Sequence, residues 1–280
     1  MANAKMVYLH ALTPVHAGTG QTVAVIDLPV AREKATGWPV IPSSSVKGVI
    51  RDRYAGVSGN TDVDRWFGKI DEAGALCFTD QRLLLFPARS LYGTFAWVTC
   101  PLALRRWVRD MKALGVSAPF PGEFAEVAAL DILHPAGSTL PHKDFAYLED
   151  LDLRAREDVA ASGVASVFAE LLFEDEADRN GFVARFALVS DEVFSFLSDT
   201  ATDVVARVRL DEETKTVKNG QLWYEESVPA EAVFAGAVLV SDHEVRRGGA
   251  AAALEKITDG IIQIGGKSTV GRGLCRVVVR

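Results

Sequence analysis

The sequence predicts an α+β fold, built on 280 residues that suffice for one large domain or a compact core with sizeable insertions. Segments with strand character and segments with helix character are mixed along the chain. They do not alternate in the regular strand–helix–strand order of a doubly wound sheet. The composition, with 49% hydrophobic and 24% charged residues, is typical of a globular protein and excludes disordered and collagen-like chains.

The N-terminal part begins with a predicted strand and continues into an irregular region. Residues 6–13 are mostly apolar and end at a proline, which predicts a largely buried strand. Residues 16–22 form a glycine-containing loop. Residues 23–30 are apolar around a single acid, Asp27, and Pro29 makes this stretch an edge strand or an irregular loop.

The remaining elements follow from periodicity and turn residues. Residues 115–141 are rich in Pro, Gly and Ala and predict an insertion or a long loop. Asn219-Gly220 predicts the turn of a β-hairpin, and Ser190 is a candidate helix cap. The predicted strands are 75–86, 93–99, 204–210, 222–226, 231–240 and 274–280, and the predicted helices are 46–54, 102–114, 157–173, 191–198 and 250–261.

Bulk properties restrict the compartment. The chain contains no apolar run of membrane-spanning length, and its N-terminus lacks the apolar core of a signal peptide. The three cysteines lie far apart without metal-knuckle spacing, which favours a reducing cytoplasm over a secreted disulfide framework.

The charge distribution allows a local nucleic-acid site. A net charge of −7 argues mildly against a free-standing nucleic-acid binder, because phosphate contacts need a basic surface. The acids concentrate in the middle of the chain, whereas basic residues flank two loops near its ends. These basic residues are Lys47, Arg51, Arg53, Lys267, Arg272, Arg276 and Arg280.

One candidate binding segment is the start of the first predicted helix. Ser43, Ser44 and Ser45 precede it, and serine hydroxyls with free backbone amides at a helix N-terminus form an anion site. Lys47 and Arg51 are four residues apart, so they share one helical face and could reach one phosphate strand. The alternative is a capped helix with a solvated basic face.

A second candidate is the glycine loop of residues 264–273. Gly266-Lys267-Ser268 resembles part of a phosphate loop, but Ile261 stands where the Walker pattern needs glycine, which excludes a nucleotide-hydrolysing P-loop. Gly265 and Gly266 permit close approach of a sugar-phosphate backbone, and Arg272 adds positive charge. The alternative is a tight turn that connects two strands.

Candidate chemistry lies at Asp27 and His16. A carboxylate in an apolar, irregular stretch needs a partner or a chemical role. It could bind a divalent cation or assist attack by a ribose 2′-hydroxyl. A surface-facing or hydrogen-bonded loop acid is the alternative for Asp27, and a hydrogen-bonded loop residue is the alternative for His16.

These segments, taken in order, resemble the RAMP superfamily, and specifically the repeated backbone subunit of the type III-B (Cmr) CRISPR effector complex. Residues 190–196, 214–226 and 265–273 extend the resemblance nearly end to end. The N-terminal signature is Thr13-Pro14-x-His16-x-Gly18-x-Gly20, then Asp27-Leu28-Pro29-Val30-x-Arg32-Glu33, then Pro39-Val40-Ile41-Pro42-Ser43-Ser44-Ser45-Val46-Lys47-Gly48-x-x-Arg51.

The resemblance implies a single domain spanning residues 1–280. Its palm would be a modified RNA-recognition motif (ferredoxin-like), with finger insertions at about 56–75 and 115–180 and a thumb β-hairpin at about 205–228. Copies of the chain would form a filament along a guide RNA together with other CRISPR effector subunits. No membrane is expected among its partners. Each thumb would kink the guide–target duplex.

The resemblance also implies an endoribonuclease that cleaves target RNA at regular intervals within the assembled complex. Asp27 occupies the catalytic position and is the candidate ligand of a divalent cation, Mg²⁺ or Mn²⁺. His16 and the pair Glu225/Glu226 match residues linked to that site, with Glu226 the candidate catalytic member. The positions that match guide-binding residues include Lys47, Arg51 and the final glycine loop.

Two departures from the family pattern concern binding rather than catalysis. Ser43 replaces a usual glycine, and Lys267 stands where an acid is frequent. Two other functions stay open at this point: a structural guide-binding subunit without cleavage activity, and a stand-alone enzyme that binds a phosphorylated ligand at residues 265–273.

Overall fold

The computed structural model describes residues 3–18, 20, 26–57, 62–210 and 217–280. The strands in these ranges are β1 Ala4–Ala11, β2 Val40–Ile41, β3 Leu76–Phe78, β4 Gln81–Arg89, β5 Phe95–Thr99, β6 Asp131–His134, β7 Phe145–Leu148, β8 Leu151–Glu157, β9 Phe186–Val189, β10 Asp203–Leu210, β11 Val217–Ser227, β12 Val233–Val240, β13 Gly260–Gln263 and β14 Leu274–Val279. The helices are α1 Ser43–Ala55, α2 Val63–Phe67, α3 Pro101–Ala113, α4 Val159–Leu172, α5 Glu176–Val183, α6 Asp191–Thr200, α7 Asp242–Arg246 and α8 Ala250–Leu254.

The palm is a ferredoxin-like unit. Its strands lie side by side in the order β14, β1, β12, β4, and each neighbouring pair is antiparallel. Along the chain these strands and two helices follow the order β1, α1, β4, β12, α8, β14, which is the β-α-β-β-α-β pattern. The α+β prediction and the ferredoxin-like palm are both confirmed.

Both faces of the palm sheet are covered, which explains why β1 is apolar along nearly its whole length. Val7 and Leu9 of β1 share one core cluster with Val46 and Ile50 of α1. The alternate residues, including Tyr8, pack in a second cluster with α3 and α4. A strand buried on both faces reads as a continuous apolar run rather than an alternating one.

The same sheet continues from the palm into the finger region. Beyond β4 the strands follow in the order β5, β9, β6, β8, β7, with parallel pairs at β5–β9 and β6–β8. Residues 115–141, predicted as a long loop, contain only β6 as a regular element. The prediction missed β6 and also β7, β8, α5 and β9.

The thumb is the β10–β11 hairpin, which forms a separate two-stranded antiparallel sheet among the described residues. The predicted turn at Asn219-Gly220 is wrong. Both residues lie inside β11, and pairing extends outward to Leu210 with Val217. Residues 211–216, which connect the two strands, lie outside the described residues.

Several element boundaries also need correction. The predicted strand 75–86 is two strands, β3 and β4, which pair with different segments of β12. The predicted helix 250–261 ends at Leu254, and the prediction missed β13. Helix α6 and its cap are confirmed, since the Ser190 hydroxyl accepts a hydrogen bond from the amide of Val193 at 3.2 Å.

Two further features are the lengths of the helices and the state of the cysteines. None of the helices in the described part of the chain is long and apolar enough to cross a bilayer. All three cysteines are free thiols, with Cys77 exposed and Cys100 and Cys275 buried. Burial raises the pKa of the Cys275 thiol to about 12, which keeps it protonated and unreactive at neutral pH.

Candidate cleavage and RNA-binding site

Asp27 lies where the N-terminal loop meets the thumb. Residues 26–30 form no strand and make only isolated bridges, one of them a parallel bridge between Leu28 and Glu225. This agrees with the predicted irregular loop, although residues 23–25 lie outside the described part. The half-buried Asp27 side chain accepts a hydrogen bond at Oδ2 from the backbone amide of Tyr224 at 2.8 Å. The carboxylate is therefore oriented by the thumb strand itself.

His16 is a buried, hydrogen-bonded loop residue. The residue is only 8% exposed, and its Nδ1 lies 2.6 Å from the carbonyl oxygen of Glu226. A carbonyl can only accept, so Nδ1 carries the hydrogen of this bond. Nε2 faces Gly18, where a Cβ would overlap the ring. The contacts of His16 fit the structural alternative, and its catalytic role stays a prediction.

Glu225 and Glu226 are adjacent in β11 but have different partners. Glu225 accepts hydrogen bonds from Lys267 Nζ and Trp223 Nε1, each at 2.7 Å. Burial by itself raises the pKa of Glu225, but the hydrogen bonds from Lys267 and Trp223 outweigh burial and hold it below its usual value. Glu226 accepts from Arg32 at 2.5 Å and from the amide of Val30 at 2.9 Å.

The C-terminal glycine loop packs directly on the His16 loop. The amide of Gly266 donates to the carbonyl of His16 at 3.0 Å, and that of Gly273 donates to the carbonyl of Pro14 at 2.8 Å. Gly265 has a φ of 80°, and a Cβ there would overlap the His16 carbonyl. Arg272 lies 3.8 Å from Asp203 at the start of β10. The loop connects the paired strands β13 and β14, as the turn alternative required.

Helix α1 begins earlier than predicted, and its serines are not caps. Ser43, Ser44 and Ser45 form the first turn of the helix. The N-cap residue is Pro42, which makes no side-chain capping hydrogen bond. Instead, the carboxylate of Asp80 accepts a hydrogen bond from the backbone amide of Ser43 at 2.8 Å. This carboxylate already uses part of the anion-binding capacity that the helix N-terminus offers.

The two basic residues on the predicted face of α1 differ in their surroundings. Lys47 is half-buried, one turn into the helix. Arg51 donates to the carbonyl of Gly68 at 2.5 Å and to Asp64 at 2.9 Å, so its guanidinium holds α2 against α1. A phosphate at Arg51 would share that side chain with Asp64.

The described residues do not form a protein-built metal cage. They contain no group of three or more His, Cys, Asp or Glu side chains that could hold an ion. Near Asp27, Glu225 is paired with Lys267 and Glu226 with Arg32. A divalent cation needs several oxygen ligands, and Asp27 alone does not fit that requirement.

Several residues of the site were not predicted to belong to it. Arg32 belongs to the family signature, but its position in the sequence does not indicate that it pairs with Glu226, 194 residues away. Thr202 donates to Glu226 at 2.9 Å, and Tyr224 supplies the amide that holds Asp27. These contacts depend on how the thumb returns to the palm, which local sequence patterns do not encode.

Comparisons with known proteins agree with this architecture. A model of the RAMP superfamily matches residues 8–276. The CRISPR system Cmr endoribonuclease Cmr4 of Pyrococcus furiosus is 35% identical, with 99% of this chain and 96% of the relative covered. The CMR subunit Cmr4 of Saccharolobus solfataricus is 25% identical, with 96% and 94% covered.

Solved structures show the same fold. Oligomeric Cmr4 from Pyrococcus furiosus superposes with a TM-score of 0.78 at 29% identity, covering 99% of this chain and 98% of that one. A chain of the type III-B Cmr-β complex bound to cognate target RNA gives a TM-score of 0.76 at 20% identity, covering 99% and 96%. The chain belongs to the RAMP superfamily and, within it, to the Cmr4 family of the CRISPR Cmr system.

Proposed function

We propose that this chain is a guide-RNA-binding backbone subunit of a type III-B CRISPR antiviral complex. Copies of it assemble along the guide beside other effector subunits, in the cytoplasm, and cleave complementary target RNA at regular intervals through Asp27. The main support is the placement of the Asp27 carboxylate at the junction of palm and thumb, oriented by the Tyr224 amide. It occurs in a chain that matches a relative named an endoribonuclease over 99% of its length.

The proposed chemistry is attack by the ribose 2′-hydroxyl on the adjacent phosphate. Asp27 accepts the hydroxyl proton, the O2′–P bond forms and the P–O5′ bond breaks. The leaving 5′-oxygen takes a proton from water, so the products are a cyclic phosphate and a 5′-hydroxyl. Tyr224 holds one carboxylate oxygen, which leaves Oδ1 to accept the proton. Mg²⁺ or Mn²⁺, if required, would depend on RNA phosphate oxygens for most of its ligands, because the described side chains supply too few.

Guide binding is proposed at two surfaces, α1 and the glycine loop. Recognition of shape and backbone suffices there, because base pairing between guide and target reads the sequence. A narrow basic groove is compatible with the net charge of −7, since the rest of the surface faces solvent or neighbouring subunits. The proposed contacts are Ser43, Ser44, Ser45, Lys47, Arg51, Gly265, Gly266, Lys267 and Arg272.

The thumb supplies a surface suited to nucleic-acid bases. We call residues 204–208 and 222–224 the thumb blade. One face of the blade is apolar and exposed, with Leu222 at 55% and Tyr224 at 42% exposure. Val204 and Val208 lie on the same face, because the register pairs Val208 with Leu222. Apolar and aromatic side chains stack on unpaired bases whatever their sequence, as a thumb that kinks a duplex requires.

Replacing Asp27 tests the proposal in the assembled complex. Asp27→Ala should lower target cleavage by at least about 100-fold, the contribution typical of a general base. Guide RNA should still co-purify in normal amount, since the proposed guide-binding residues are intact. Asp27→Asn is the matched variant, because it keeps the size of the side chain and removes its basicity.

Other results would favour one of the two alternative functions, a structural subunit or a stand-alone enzyme. Unchanged cleavage at every interval with guide bound would make this chain a structural subunit whose cleavage is supplied elsewhere. Absence of any co-purifying small RNA from the native host would contradict guide binding. That result would favour an enzyme that binds a phosphorylated ligand at the glycine loop.

A further inference from the structure

Glu226 is a buried carboxylate whose two oxygens are both used by the protein. The residue is 2% exposed. Its Oε1 accepts hydrogen bonds from Arg32 at 2.5 Å and from the Thr202 hydroxyl at 2.9 Å, and its Oε2 accepts from the amide of Val30 at 2.9 Å. A carboxylate so placed has little access to an RNA phosphate or a ribose hydroxyl.

Arg32, the partner of Glu226, joins three parts of the chain. Its guanidinium also donates to the carbonyl of Ser198 in α6 at 3.1 Å and to the carbonyl of Gly37 at 2.9 Å. Helix α6 leads into the first thumb strand, and Glu226 lies in the second. The planar, forked guanidinium suits this role, because it donates in several fixed directions at once.

The backbone next to Glu226 is the backbone that orients Asp27. Leu28 donates to the carbonyl of Tyr224 at 3.1 Å and accepts from the amide of Glu226 at 3.0 Å. The amide of Tyr224 in turn holds Asp27. A shift of Glu226 would therefore move both the loop that bears Asp27 and the amide that orients its carboxylate.

We infer that the Arg32–Glu226 pair is a positioning device, which fixes the Asp27 loop to the second thumb strand and to helix α6, which leads into the first thumb strand. This inference rests on the proposed cleavage function of Asp27. Arg32 and Glu226 act through Asp27 and exchange no proton with RNA. Breaking the pair therefore lowers the rate of cleavage and leaves its pH dependence unchanged in shape.

A double-variant cycle in the guide-loaded complex tests the inference. Arg32→Met leaves the Glu226 charge buried and unpaired, and Glu226→Gln leaves Arg32 with only the exposed Asp199, 3.7 Å away, as an ion-pair partner. Each should therefore lower cleavage about 10-fold through misplacement of Asp27. The double variant contains neither the buried carboxylate nor the guanidinium that opposed it. The decrease in its cleavage rate should be no greater than that of the more impaired single variant, rather than the product of the two single decreases.

Two milder variants carry the test if a single variant fails to fold. Arg32→Lys keeps the charge and should recover part of the activity lost in Arg32→Met. Thr202→Val removes one of the donors to Glu226 and should lower cleavage less than Glu226→Gln does. Guide retention and melting temperature, measured on every variant, show that the complexes are intact.

The outcomes separate this inference from the proposed function. Multiplicative losses in the double variant, loss of one limb of the pH–rate profile in Glu226→Gln, or wild-type rates in all variants would each overturn the positioning role. Asp27→Ala is measured in parallel. Normal cleavage by Asp27→Ala would overturn the proposed function itself, whatever the cycle shows.

Discussion

Two parts of the thumb hairpin differ sharply in their surroundings. We call residues 225–228 the thumb base. All four are buried, and they are tied to the palm by the pairs Glu226–Arg32 and Glu225–Lys267 and by the mutual backbone hydrogen bonds of Val228 and Val15. In the blade, by contrast, one face is apolar and open. One hairpin thus combines a rigid anchor beside Asp27 with a free surface that can contact RNA.

The largest effect should come from placing a charge in the thumb base. Val228 is 3% exposed, and Val228→Asp buries a carboxylate without a partner, which should cost about 3–4 kcal/mol. The melting temperature should fall by about 8 °C or more for a domain of this size. Val208→Asp is the matched control on the blade. Val208 is 46% exposed, and the same substitution there should cost no more than about 0.5 kcal/mol.

Equal destabilisation by the two aspartates would contradict this division of the hairpin. Thermal melting of both purified variants, followed by circular dichroism, is sufficient to decide.

A smaller effect should follow from removing an aromatic ring of the blade. Tyr224→Ala leaves the backbone amide that holds Asp27 and deletes a side chain that is 42% exposed. Loss of stacking on a base should weaken target RNA binding by about 1 kcal/mol, or about fivefold. The melting temperature should not change. Tyr224→Phe keeps the ring, and if it bound target RNA as weakly as Tyr224→Ala, stacking would not be the function of this residue.

The smallest effect should come from the ion pair between the thumb base and the glycine loop. Because the pKa of Glu225 is lowered in the folded chain, its pairing with Lys267 stabilises the fold above the ordinary carboxyl pKa. That stabilisation is lost as pH falls through the lowered pKa. Lys267→Met should therefore lower stability by about 0.5–1 kcal/mol at neutral pH, and the difference from wild type should shrink in acid.

Melting curves of both proteins from neutral to acidic pH measure this difference. A deficit of Lys267→Met that grew as pH fell would have the wrong sign for a carboxylate with a lowered pKa. Arg272→Met is the comparison variant, because Arg272 lies 3.8 Å from the more exposed Asp203 and should matter less.

Local sequence patterns predicted much of the palm but little of the thumb base. Residues 6–13 and 274–280 gave the correct strands, because buried strands are apolar runs bounded by turn residues. The irregular Asp27 loop followed from Pro29. Asn219-Gly220 misled because strand pairing in the hairpin continued past a pair of turn-forming residues. Pairing with a neighbouring strand outweighs such local preferences.

The partners of the site residues were beyond prediction from spacing. Lys267 and Glu225 are 42 residues apart, and His16 reaches a carbonyl 210 residues away. Such contacts arise only after the hairpin returns to the palm between the N-terminal loop and the glycine loop. The family signature indicated that these segments matter, but not that Glu225 and Glu226 hold different loops.

Complexes that mix wild-type and Asp27→Ala subunits on one guide test the central claim most directly. If each copy cleaves target RNA with its own Asp27, the amount of product at every cut position should fall in proportion to the fraction of Asp27→Ala subunits. The spacing between cuts should not change. Undiminished product at all positions, with the variant subunits shown to be incorporated, would contradict cleavage by Asp27.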